Sequence, residues 1–293
     1  MARALPLTAS HTNHSCQTVI AAPPGRRSSR ARVALLAFCL ISGCTSEARE
    51  TPRAAVASTP ASPAAEAVIP LARTSYVPGD STVTGTISGT VRLAAPLPAL
   101  PPVPTGSDST LCGPNMPDES VREKSGGLEG AVVWVEGVHK GRNLPTERRI
   151  ELENDRCKLA PRVQAALVGG AMNIIGHDHN RQHLHFAAFG ETSTRAAILL
   201  GGAEQVIPTD LPLKSPGLVR VTDVDHSWPR AYIAVFDHPY FAVTRPDGSF
   251  EIDGVPQGTY TLHVWHERTR TATQPVQVVA GGTARTEIAL TGK

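Results

Sequence analysis

The fold is decided by the stretch Asp247-Gly248-Ser249-Phe250-Glu251-Ile252-Asp253-Gly254-Val255-Pro256-Gln257-Gly258-Thr259-Tyr260-Thr261-Leu262-His263-Val264. Thr244-Arg245-Pro246 precedes it. The proline sets φ at one turn position, and Asp247-Gly248 supplies the positive φ that a tight reversal demands. Phe250-Ile252 then reads as a strand, Val255-Pro256-Gln257-Gly258 as a second turn, and Tyr260-Trp265 as the next strand.

The same grammar repeats outward from this point. Short β-branched runs bounded by Gly, Pro, Asp and Asn occur at Thr86-Leu93, Ala131-Glu136, Val163-Val168, Met172-Ile175, Leu184-Ala188, Leu218-Val221, Tyr232-Phe236, Val276-Val279 and Ala284-Leu290. Such runs predict an all-β chain of sandwiches or barrels. Ala196-Leu200 is ambiguous and also reads as a helical turn. From Thr82 onward about 210 residues remain, enough for two small β domains or one elaborated one.

The other end of the chain carries an address. Arg26, Arg27, Arg30 and Arg32 precede an uncharged run from Val33 to Ile41, followed by Ser42, Gly43 and Cys44. The apolar run is about nine residues, roughly half of what spans a bilayer, which predicts an export signal rather than an anchor. Thr45 to about Pro78 is rich in Ala, Pro, Ser, Thr and Glu. It buries too little apolar surface to offset its ordering entropy and reads as a tether. Of the five cysteines, Cys16 and Cys39 leave with the signal. Cys112 and Cys157 remain in the mature body, an even pair in an oxidising compartment; this predicts a disulfide, the alternative being two free thiols. The full-chain net charge is only +2, and several basic residues depart with the signal, so nucleic-acid binding is not expected.

Ile41-Ser42-Gly43-Cys44 resembles the bacterial lipobox. The resemblance implies a signal spanning 1-44, lipid on Cys44, a tether over 45-81 and an exported chain held in the cell envelope. Thr45 in place of Asp implies the outer membrane, facing the periplasm or the surface.

The stretch from Asp247 to Val264 resembles the carboxypeptidase regulatory-like domain, a transthyretin-type β-sandwich that is non-catalytic. Such domains open with strands like Gly89-Thr90-Val91-Arg92-Leu93 and Gly130-Ala131-Val132-Val133-Trp134-Val135, which lie more than a hundred residues upstream. The expectation is one sandwich assembled from 82-150 and 237-293 around an insertion at 151-236; two consecutive domains or one continuous sandwich are the alternatives.

The inserted segment resembles a plastocyanin-like, or cupredoxin, Greek-key domain, continuing into His238-Pro239-Tyr240-Phe241-Ala242-Val243-Thr244. The resemblance places His183 and His226 at the two histidine positions, Asp223 where the family has Cys, and Pro229 where it has Met. Without the thiolate a blue-copper centre is not expected. The residual set His183, Asp223 and His226 suits Zn, Ni, Mn, non-haem Fe or a non-blue Cu(II). The competing reading is a decayed site with no cofactor.

Other groups carry weaker signals. His177, His179, His183 and His185 crowd nine residues, and strand alternation puts His183 and His185 on one face. Exposed loop histidines are the plainer account. Asp225 is either an acceptor orienting His226 or a solvated turn carboxylate. His263 and Trp265 should share one face of a strand, with His266 and Val264 on the other. Trp134, Trp228 and Trp265 read as core or interdomain anchors. No nucleophile elbow, phosphate loop or H-E-x-x-H motif occurs. The expected function is therefore a non-enzymatic envelope lipoprotein acting as a binding or scaffold module, with an envelope protein or glycan as partner. Metal handling through His183, Asp223 and His226 and carbohydrate binding by the sandwich are the alternatives.

Overall fold

The computed structural model describes residues Leu71, 75–79, 83–188, 194–201 and 204–293. The signal, Cys44 and most of the tether lie outside them. The principal strands, in chain order, are β1 (Thr84–Leu93), β2 (Val132–Glu136), β3 (Arg149–Asp155), β4 (Lys158–Ala160), β5 (Val163–Leu167), β6 (Ala171–Gly176), β7 (Gln182–Ala188), β8 (Thr194–Leu200), β9 (Gln205–Thr209), β10 (Gly217–Asp223), β11 (Arg230–Phe236), β12 (Phe241–Val243), β13 (Ser249–Pro256), β14 (Gly258–Trp265), β15 (Ala272–Val278) and β16 (Thr283–Leu290). One short α-helix, Ser109–Cys112, interrupts the pattern. The chain is all-β and builds two sandwiches.

The first sandwich packs a four-stranded sheet, β12-β2-β14-β15, on a three-stranded sheet, β13-β1-β16. Alternation decides which side chains meet: Ile87, Val91, Val133, Val135, Phe250, Ile252, Leu262, Val264 and Ile288 form its core. The turn into β13 forms as its residues dictate. Gly248 adopts φ 75°, its N–H donates to the Arg245 carbonyl, and Asp247 Oδ1 accepts from the Ser249 N–H and hydroxyl. A Cβ at Gly248 would meet the Val91 carbonyl oxygen at 2.4 Å, so close backbone approach also demands glycine there.

The second sandwich packs β4-β3-β6-β9 on β5-β11-β10-β7-β8 around Leu152, Ile174, Leu184, Phe186, Val219, Val221 and Ile233. Its first strand begins at Arg149, two residues before the expected boundary at 151. Ala196-Leu200 is a strand and not a helical turn: it pairs antiparallel with β7, where cross-strand hydrogen bonds outweigh alanine's helix preference. The outer face of the β12-β2-β14 sheet meets the β5-β11-β10 sheet at a seam of Val132, Trp134, Trp265, Val163, Leu218, Tyr232 and Phe236. Tyr232 and Trp265 meet edge to face with centroids 5.2 Å apart. Arg162 and Glu267 fasten the seam's rim through a bidentate pair of 2.5 and 2.9 Å.

Candidate functional site

The candidate site lies at the end of the second sandwich where β10 runs out. β10 delivers Asp223 as its last residue, paired with Leu184 of β7, so His183 and Asp223 are brought together by strand register. Contact is through backbone: the His183 N–H donates to Asp223 Oδ1 at 3.0 Å, as does the Asp225 N–H. The other carboxylate oxygen, Oδ2, lies 2.6 Å from His226 Nδ1. Asp223's side chain is fully buried. A buried carboxylate needs this many donors to offset its lost hydration.

His226 is held from both sides. Its Nε2 lies 2.6 Å from Asp108 Oδ2, in the segment that leads into the short helix Ser109–Cys112. Burial pulls its pKa down, but the hydrogen bond and charge of Asp223, with those of Asp108, outweigh this and hold the pKa above the usual histidine value. Flanked by two carboxylates, the imidazole is favoured in its protonated form, in which both ring nitrogens donate.

His183's ring points elsewhere, with Nδ1 3.4 Å from Asp225 Oδ2. Asp225 thus faces His183 and does not orient His226, because Asp223 and Asp108 already take both nitrogens of that ring. His183 and His185 share the half-exposed outer face of β7, as alternation requires. His177 sits 3.8 Å from both Glu153 and Glu204.

These side chains do not fit a metal centre. The Asp223 and Asp108 carboxylates approach His226 at opposite ring nitrogens, and His183 turns toward another partner. Among the described residues, no group of three or more His, Cys, Asp or Glu side chains is placed to hold a metal ion.

The surroundings fasten the same corner. Cys112 and Cys157 form a disulfide with Cα atoms 5.7 Å apart, tying the Asp108 segment to the β3–β4 turn. The Cys157 N–H donates to Asp178 Oδ2 at 2.7 Å, and its carbonyl accepts from Trp228 Nε1 at 3.1 Å. The Trp228 ring lies 4.9 Å from that of His226. Trp134 and Trp265 are the seam anchors expected; Trp228 braces the disulfide corner instead.

Residues 217–291 match the carboxypeptidase regulatory-like domain. That domain's match begins in β10 and β11, which pair in the second sandwich, and it leaves out β1 and β2, which complete the first. Among solved structures, a copper(I) form of a methionine-to-alanine mutant of amicyanin is similar at 16% identity, covering 35% of this chain and 97% of that one, with a TM-score of 0.24. No curated protein matches the chain.

Sequence reasoning missed Asp108. It lies 115 positions before Asp223 in a Gly/Ser/Thr loop, and nothing local marks it as a partner for His226. The disulfide was the one available signal, since it brings this loop to the second sandwich.

Proposed function

We propose that the protein is a lipid-tethered, non-catalytic envelope module whose second sandwich uses Asp223 and His226 as a structural clasp rather than as metal ligands. The observation that carries this is the double engagement of His226 by Asp223 and Asp108, which occupies both ring nitrogens. The carboxypeptidase regulatory-like match over residues 217–291 supports a binding or scaffold role. The Ile41-Ser42-Gly43-Cys44 segment supports export with lipid on Cys44.

Elemental analysis of the purified full chain tests the clasp. The expected result is no stoichiometric Zn, Ni, Mn, Fe or Cu, with His226→Ala lowering Tm and leaving metal content unchanged. A stoichiometric metal lost in His226→Ala would establish the metal-handling alternative. Radiolabelled palmitate should enter the native chain and not Cys44→Ser; equal labelling of both, or of neither, overturns the tether.

A further inference from the structure

Among the described residues, one sheet of the first sandwich is covered and the other is open. The four-stranded sheet meets the seam, whereas the outer face of β13-β1-β16 floors an open cleft of about 880 Å³. Register arranges that floor in rows. Glu251, Ser88 and Arg285 stand side by side across three strands, and Ser249, Thr90 and Glu287 form the next row. Two strand spacings put the ends of each row about 10 Å apart. The turn Ser125–Gly127 and Arg245 supply one wall.

The chemistry of these rows is specific. The middle strand contributes small hydroxyls, Ser88 and Thr90, flanked by charged edge residues. Arg92 is paired with Glu287, but Arg285 and Glu251 make no ion pair among the described residues. Arg245 donates to the Ser249 hydroxyl at 3.4 Å and interacts electrostatically with the exposed Asp247 carboxylate, with no ion pair within 4 Å among the described residues. Thr286 lies in the row of Phe250 and Gly89 and turns with Phe250 to the inner face, so its buried hydroxyl is not part of the cleft floor. No aromatic ring is offered, since Phe250 turns into the core. Stacking on a sugar face is therefore absent, and recognition falls to hydroxyls and guanidinium groups. Guanidinium forks match carboxylates, and Ser, Thr and Glu side chains match ligand hydroxyls.

We propose that the β13-β1-β16 cleft binds a carboxylated glycan, with Arg245 and Arg285 taking its carboxylates and Ser88, Thr90 and Glu251 its hydroxyls. The inference rests on the reading of the protein as a binding module and names the ligand class and the site.

Calorimetric titration of the full chain with tetragalacturonate, and with maltotetraose as the neutral control, tests it. Tetragalacturonate should bind, and binding should weaken as salt rises. The Arg245→Gln/Arg285→Gln variant should bind roughly tenfold or more weakly, because charged hydrogen bonds are lost, while keeping its Tm. Three outcomes overturn the proposal: no binding by the native chain, undiminished binding by the double variant, or equal binding of the neutral tetramer. Failure here with palmitate still on Cys44 removes the cleft and leaves the tether. Binding by a chain that takes no palmitate removes the tether and leaves the cleft.

Discussion

The two sandwiches close their ends by different means. The first combines backbone geometry with neutral and charged contacts: the Gly248 turn presses against Gly127, the Thr244 hydroxyl donates to the Leu128 carbonyl at 2.6 Å while accepting from the Ala131 N–H at 2.9 Å, and Arg268 donates to Asp118 at 3.2 Å. The second relies on side chains distant in sequence: the Asp108–His226–Asp223 clasp, the Cys112–Cys157 disulfide and the Trp228 brace. Its interior also keeps amide atoms of Asn154, Gln164 and Gln182 without partners among the described residues. The Gly248 turn itself is specified locally, although the Thr244 contacts that seat it are not. Closure by fasteners depends on pieces that folding must bring together, and it should fail under different conditions.

Acid should strike the first sandwich hardest. His238, just before β12, and His266, just after β14, are both buried, and burial pushes each pKa down to about 4. The unfolded chain protonates these rings near pH 6.5, so their contribution is present above that value and is lost as pH falls toward 4. The cost is up to about 3 kcal/mol for each at pH 4. Hydrogen exchange between pH 7 and 4 should rise first in 84–93 and 241–290; earlier loosening of 149–236 would break the comparison.

Core truncation comes next. Phe250→Ala and Phe186→Ala empty one core each and should cost roughly 3–5 kcal/mol apiece. Because Trp134, Trp265, Tyr232 and Phe236 pack the seam from both sides, calorimetry should register one transition in either variant. Two separated transitions would mean that the seam does not couple the sandwiches.

The fasteners rank below the cores. Cys112→Ser/Cys157→Ser opens a loop with a sequence separation of 45 and should cost about 2–4 kcal/mol. Its exchange increase should be confined to 103–116 and the β3–β4 turn. His226→Ala is the smallest, about 1–2 kcal/mol, since the ring lies near the surface while the Asp223 it leaves behind still accepts two backbone N–H groups. A loss as large as that of Phe186→Ala would make the clasp a core element rather than a fastener.

Much of the fold was legible in the chain. The Asp247-Gly248 turn and the β-branched runs sit where their chemistry places them, because both depend on residues within a few positions of one another. Arg149–Asp155 was not legible as a strand: only Leu152 and Asn154 are buried, among charged neighbours, and its place between β4 and β6 comes from partners elsewhere. Ala196-Leu200 stayed ambiguous in the sequence for the same reason. At the candidate site the resemblance to the cupredoxin domain grouped His226 with Asp223 as ligand positions, whereas nothing in the sequence pointed to Asp108.

By itself the sequence determined the all-β character, the tight turns and the pair of cysteines available for a disulfide, since each follows from local φ preferences, alternation or counting. Tertiary structure alone decided the register in which β1 pairs with β13 and β16, and β2 with β12 and β14. It alone set Asp108 against His226 and, among the described residues, left one sheet face open. Those outcomes depend on long-range register and burial, which no short stretch of sequence encodes.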